Sequence, residues 1–244
     1  MNKALKKSTM TSDLKNCRLA IAGRPEYRIA EAPAPETVAA MPERIPLLKA
    51  RLRVNIGDRV KTGTPLYEDK ENTDIVFAAP ASGRIIDIRY GPRRVIRDIV
   101  IQTEKAEEYA DFGFLSETEP ARINRDRLVE ILLKSGMWPF IRDIVYRCVA
   151  DPGRTPAVIW VGMDNQDPFH PPPDIYLNRT ADLRQFDTGL QALEKLCDRI
   201  LVCKSEESAP LDAGIEARVS YRTRGGYPAE DPGVVHYHTK TRAD

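Results

Sequence analysis

The sequence holds only four cysteines, Cys17, Cys148, Cys197 and Cys203, and no two form a CxxC pair. That spacing argues against a metal ribbon, a dithiol redox pair, a disulfide framework or an iron–sulfur cluster. An excess of one charge is also missing. Thirty-seven Lys and Arg face 36 Asp and Glu, a net charge of +1, whereas a dedicated nucleic-acid binder usually gathers a basic excess on one face. No apolar run approaches the roughly 20 residues of a membrane span. Met1 to Asn16 is basic and polar without an apolar h-region, so it does not read as a secretory signal. Glycine-rich phosphate turns are lacking too. The turns after Met163 (Asp164-Asn165-Gln166-Asp167-Pro168) and Lys204 (Ser205-Glu206-Glu207-Ser208) are acidic, and Arg224-Gly225-Gly226 is too short. A dinucleotide or flavin phosphate needs backbone N–H groups at such a turn, so no redox cofactor is expected on this chain. These absences leave a soluble, cytoplasmic, globular protein of one or two domains.

What the sequence does have is proline, 19 in 244 residues, which points to many turns and irregular connections. Residues 1–17 read as a disordered or extended leader, although the apolar run Leu19-Ala20-Ile21-Ala22 follows at once. Residues 18–104 read as a small all-β domain. Leu52–Ile56, Pro65-Leu66, Ile75-Val76-Phe77, Ile85–Ile88 and Val95–Ile101 are separated by glycine turns at short, regular intervals. Residues 105–123 are charged and patternless, a linker. From 124 to 244 the period changes. Asn124 caps an expected helix with Leu128, Ile131 and Leu132 on one face and Gly136 as its stop. Trp138, Ile141, Val145 and Cys148 suggest a second short helical stretch. Ala157–Met163 has the look of a strand buried on both faces of a parallel sheet. Leu183, Phe186, Leu190, Leu193 and Cys197 mark an amphipathic helix, and Arg199–Cys203 another buried strand. Ile215, Ala217, Val219 and Tyr221 alternate as a third. The fold class expected is mixed α and β, a barrel followed by a Rossmann-like α/β layer.

Two turns carry the most specific signal: Gly57-Asp58-Arg59-Val60-Lys61-Thr62-Gly63 and Ala79-Pro80-Ala81-Ser82-Gly83. They resemble the two halves of the biotinyl/lipoyl barrel-sandwich hybrid. In carriers of that fold a lysine between methionines takes the cofactor. Lys70 stands at the matching place in Glu68-Asp69-Lys70-Glu71-Asn72, with no Met beside it, so a solvated hairpin charge is the stronger reading. Further islands follow in order. They are Tyr67–Lys70, Val76–Ile85, Arg93–Ile101, Ser135–Arg142, Met163–Pro168, Gly189–Leu193, Val202-Cys203-Lys204, Gly226–Ala229 and His236-Tyr237-His238. Together these resemble the A, or α, subunit of the bacterial sodium-translocating NADH:quinone oxidoreductase.

The resemblance implies a peripheral, cofactor-free subunit on the cytoplasmic face of the bacterial inner membrane. It would contact the membrane-embedded B subunit together with the other subunits of the complex, and contribute to quinone reduction and assembly. No catalytic acid, base or nucleophile can be named, and no metal ligand set. The quinone neighbourhood expected is Trp138, Phe140 and Arg142, two apolar aromatic walls and a donor for a carbonyl oxygen. Two departures stand out: the family extends well beyond its His-x-His segment, and its usual Gly-Leu-Asp start reads Lys15-Asn16-Cys17 here. A fragment or a shortened relative is therefore expected, and the alternative function is a stand-alone interaction scaffold outside the pump. His236 and His238, read as a strand, would share a face; as metal ligands they would need a third partner, with only His170 and the distant cysteines on offer, so a structural pair is the stronger reading. That strand, left at an edge, would favour self-association. Arg89, Arg93, Arg94 and Arg97 form a basic hairpin, a solvated face or a dock for an anionic surface or acidic partner.

Overall fold

The computed structural model describes residues 10–13, 26–112, 123–163, 170–177, 180–225, 227–229 and 231–239. The chain forms two compact units, one of Ala32–Arg154 and one of Met1–Glu31 with Thr155–Asp244. The apolar run 19–22 and the acidic turn 164–168 lie outside the described residues.

Within Ala32–Arg154, seven short strands build two antiparallel sheets: β2 (Thr37–Ala40), β3 (Ala50–Leu52), β4 (Arg59–Val60), β5 (Pro65–Asp69), β6 (Val76–Ala78), β7 (Gly83–Tyr90) and β8 (Ile96–Thr103). One sheet runs β2-β8-β7-β4 and the other β3-β5-β6. This is the small β domain expected from the glycine-punctuated sequence. Leu66, Ile85, Ile99 and Ile101 are fully buried between the sheets, each contributing about 1.5–3 kcal/mol. Gly83 shows why its turn motif demands glycine: a Cβ there would sit 1.9 Å from the Gln102 carbonyl oxygen.

Helix α1 (Arg125–Lys134) follows, with Leu128 and Ile131 buried. The Asn124 side chain accepts from the Arg127 N–H at 2.9 Å, the capping anticipated from its position. α1 belongs to the same compact unit as the barrel, and Gly136 closely approaches Ala78 of β6. With φ +70°, a Cβ on Gly136 would lie 2.7 Å from the Ala78 Cβ. The second helical stretch expected over 138–148 does not form. A single 3-10 turn, Trp138–Phe140, is followed by a hairpin loop in which Arg142 bridges Val149. Pro139 and the Asp143 side chain, which accepts from the N–H groups of Val145 and Tyr146, divert the chain from a helix.

The other unit is a four-stranded parallel sheet, in the order β1 (Met10–Asp13), β11 (Val219–Arg224), β10 (Ile200–Ser205), β9 (Ile159–Gly162). Residues 10–13 of the expected leader thus pair with β11. β9 is an edge strand and only half-buried, not the doubly covered strand its composition suggests. The connections carry α2 (Pro173–Tyr176), α3 (Thr180–Leu193) and α4 (Ala213–Glu216), and α5 (Pro232–Thr239) follows β11.

The two faces of this sheet hold different cores. Met163, Leu190, Val202, Ile215 and Val219 gather on one, joined by Leu183 and Phe186. Cys203, Tyr221 and Val235 gather on the other with Trp160. Val219 and Tyr221 therefore face opposite ways, although two apart. A bulge causes this: Val202 pairs Val219 and Cys203 pairs Tyr221, leaving Ser220 as the extra residue. Its Oγ accepts the Val202 N–H at 3.0 Å, and the extra residue reverses the alternation. The alternating strand expected over 215–221 is thus corrected twice, since Ile215 lies on α4.

Candidate functional site

Trp138, Phe140 and Arg142 are separated by the turn that carries them. Trp138 is 3% exposed, and its Nε1 donates to the Ala150 carbonyl at 2.8 Å, closing the loop that follows. Phe140 points the other way and is 76% exposed. The two aromatics do not make one wall, because the short 3-10 turn sends successive side chains to different sides. Arg142 is exposed, and partial burial lowers its pKa against the opposing pull of Tyr67 and Cys148.

Tyr67 is a residue this site adds. It lies on β5, 4% exposed, and stacks on Phe77 of β6 with ring centroids 4.5 Å apart. Burial pushes its phenol pKa upward, and nearby Arg142 pulls it back in part. Nothing in the spacing of residues 67 and 142 announces that proximity; it exists because the loop after α1 lies on β6. Around Arg142, the exposed large apolar residues Met137, Phe140, Val145 and Tyr146 fall within one ten-residue stretch. A surface of this kind offers apolar area beside a guanidinium.

Lys70, the carrier-lysine candidate, follows β5 at the hairpin tip and is exposed; its N–H donates to the Lys49 carbonyl at 2.8 Å. In the basic hairpin, Arg89 pairs Asp87 at 2.8 Å and Arg97 pairs Asp98 at 2.9 Å. His236 and His238 lie on α5 rather than on a strand, and positions two apart on a helix do not share a face. The edge strand on which self-association rested is absent for the same reason: Pro232 opens a helix there. Asp231 Oδ1 caps it by accepting from the Gly233 N–H at 2.8 Å.

A buried ion-pair network lies in the parallel-sheet unit, on residues the sequence did not single out for chemistry. Lys204, on β10, is 1% exposed. Its Nζ lies 2.9 Å from Glu216 Oε1 and donates to the Ser208 carbonyl at 3.4 Å. Glu216 also pairs with Arg222 and accepts the Leu211 N–H at 2.9 Å. Burial pushes the Glu216 carboxyl up, but the Leu211, Lys204 and Arg222 bonds outweigh it and bring its pKa down to about 2. The carboxyl ends of strands are where open parallel sheets gather ligands. Here the lysine is committed to Glu216, so the network braces the fold.

Residues 14–104 match the model of the NqrA N-terminal barrel-sandwich hybrid domain, and residues 123–243 that of the NqrA second alpha/beta domain. Proteins named as the A subunit of the Na(+)-translocating NADH-quinone reductase are similar over most of this chain. The one from Tolumonas auensis is 34% identical over 227 residues, 91% of this chain and 50% of the relative. That of Klebsiella pneumoniae strain 342 is 35% identical over 228 residues, with the same two shares. That of Neisseria meningitidis serogroup B is 32% identical over 226, again 91% and 50%. The chain spans about half the length of these curated relatives.

Proposed function

The chain belongs to the NqrA family, and from that membership we propose that it serves as a peripheral subunit of a sodium-translocating NADH:quinone oxidoreductase. The observation that carries this reading is the succession of both NqrA domains in one chain. In this role the chain holds no redox centre of its own. It docks at the cytoplasmic face of the bacterial inner membrane against the membrane-embedded B subunit, and contributes to assembly and to quinone reduction. No helix among the described residues is long and apolar enough to cross a membrane.

Within that reading, the quinone neighbourhood is the segment around Arg142. Phe140 supplies exposed apolar area and the Arg142 guanidinium a donor for a quinone carbonyl oxygen. Trp138 acts from beneath by holding the loop through Ala150. The chain's contribution is to bind and orient.

The test is purification of a tagged copy from membranes of its own bacterium. Recovery of the other oxidoreductase subunits with NADH:quinone activity is the expected result. Recovery of the chain alone, with the rest of the complex assembled without it, would refute the proposal.

A further inference from the structure

The barrel carries an open strand edge beside uncompensated positive charge. β3 is an edge strand of its sheet and, among the described residues, pairs only with β5. The Lys70 N–H donates to the Lys49 carbonyl at 2.8 Å, and the Arg53 N–H to the Leu66 carbonyl at 2.9 Å. The odd-numbered residues thus bond toward β5. Alternate residues of an antiparallel strand turn their N–H and C=O groups the opposite way, so those of Ala50 and Leu52 point outward. Among the described residues nothing bonds to them.

They open onto a groove of about 640 Å³ between β3 and the connection from β7 to β8. Leu48 and Leu52 line one side, and Tyr90, Val95 and Ile96 the other. Tyr90 and Val95 are 48% and 50% exposed.

The charges along the groove fall into two classes. Lys49 and Arg51 are neutralised by Glu71 and by the buried Glu68. Lys70, Arg93 and Arg94 have no ion pair among the described residues, and Glu43 is the one acid on the lining. Arg93 and Arg94 adopt left-handed φ values of 56° and 57°, a conformation that costs non-glycine residues about 1 kcal/mol or more. Natural edge strands are commonly blunted by charge. Here Lys49 and Arg51, at β3, are cancelled, Lys70 stands free beside them, and Arg93 and Arg94 stand across the groove.

We propose that this groove binds an extended acidic peptide segment of a partner protein as an added strand against β3. Its backbone would satisfy Ala50 and Leu52, alternate apolar side chains would meet Tyr90 and Val95, and carboxylates would meet Lys70, Arg93 and Arg94. A lipid headgroup would answer the charge but leave the row of backbone groups unpaired. The inference is independent of the quinone reading.

The test uses the full chain and a fluorescent, end-blocked nonapeptide of alternating Glu and Val. Binding by anisotropy is expected. The double change Arg93→Glu with Arg94→Glu, and separately Ala50→Pro, should each weaken it about tenfold or more, the loss of one or two charge-assisted or backbone bonds. Proline at position 50 removes an outward N–H and spares every bond to β5. As a readout that needs no variant, the peptide should slow amide exchange at Ala50 and Leu52 in the native chain. Absence of binding overturns the proposal, as does unchanged exchange at those two amides. Equal binding by Ala50→Pro with an intact melting curve also overturns it. Binding to phosphatidylglycerol vesicles that the peptide fails to displace would make the groove a lipid site. A dimer dissociated by Ala50→Pro would make its occupant a second copy.

Discussion

Lys204 Nζ stands 2.9 Å from Glu216 Oε1, with only 2% of the lysine side chain exposed against 22% for the glutamate. The pair ties β10 to α4, and Arg222 brings β11 into the same network. The asymmetry in exposure matters more than the distance. Glu216 keeps Arg222, the Leu211 N–H and some solvent if the lysine is removed, whereas Lys204 without Glu216 is, among the described residues, a buried cation with one weak carbonyl contact.

Glu216→Gln should therefore destabilise the fold more than Lys204→Met. We expect about 3–5 kcal/mol for the glutamate change, the usual cost of a buried charge left without its partner, and about 1–3 kcal/mol for the lysine change. Urea unfolding of the two variants checks the order. A reversed order would mean that the lysine is matched by something other than Glu216.

The same carboxyl sets a pH dependence. Its folded pKa, about 2, is depressed from the ordinary value of 4.5. A depressed acid contributes stability that is fully present above its unfolded pKa and is lost as pH falls through the folded one. Stability should thus decline between about pH 4.5 and pH 2, and Glu216→Gln should flatten that decline. Denaturant midpoints of both proteins across this window provide the check.

Trp138 and Phe140 should respond oppositely to alanine. Trp138 is buried and hydrogen-bonded to Ala150, so Trp138→Ala should cost about 3–5 kcal/mol. Phe140 is exposed, and Phe140→Ala should stay within about 0.5 kcal/mol of the parent. In the assembled complex the Phe140 change should weaken quinone-analogue binding. Thermal melting and inhibitor titration on the same variants separate the two roles. Normal binding by Phe140→Ala would remove that residue from the quinone neighbourhood.

Gly136→Ala tests the seat of α1 on the barrel. The left-handed backbone and the 2.7 Å approach to the Ala78 Cβ both oppose a side chain. A loss of about 1–3 kcal/mol is expected, read as a lower melting temperature. Pairing it with Ala78→Gly should recover part of the loss, since the obstructing Cβ is then gone.

The local signals in the chain are faithful where one segment suffices to decide the outcome. Glycine turns and short Val/Ile runs specify the barrel strands because a tight corner and a half-buried strand are properties of a few adjacent residues. Asn124 and Gly136 bracket α1 for the same reason, one satisfying the first free amides and the other accepting the left-handed turn. The spacing of Leu183, Phe186 and Leu190 likewise carries α3 onto its core. Tertiary structure decided what depends on a second segment. Ser220 becomes a bulge only against β10, and that one residue sends Tyr221 and Val219 to opposite faces. Tyr67 meets Arg142 only because the loop after α1 is seated on β6. Lys204, an ordinary lysine in an apolar run, is buried because Glu216 arrives from the next connection to neutralise it. Charge neutralisation and strand register act across the chain, and neither leaves a local period to read.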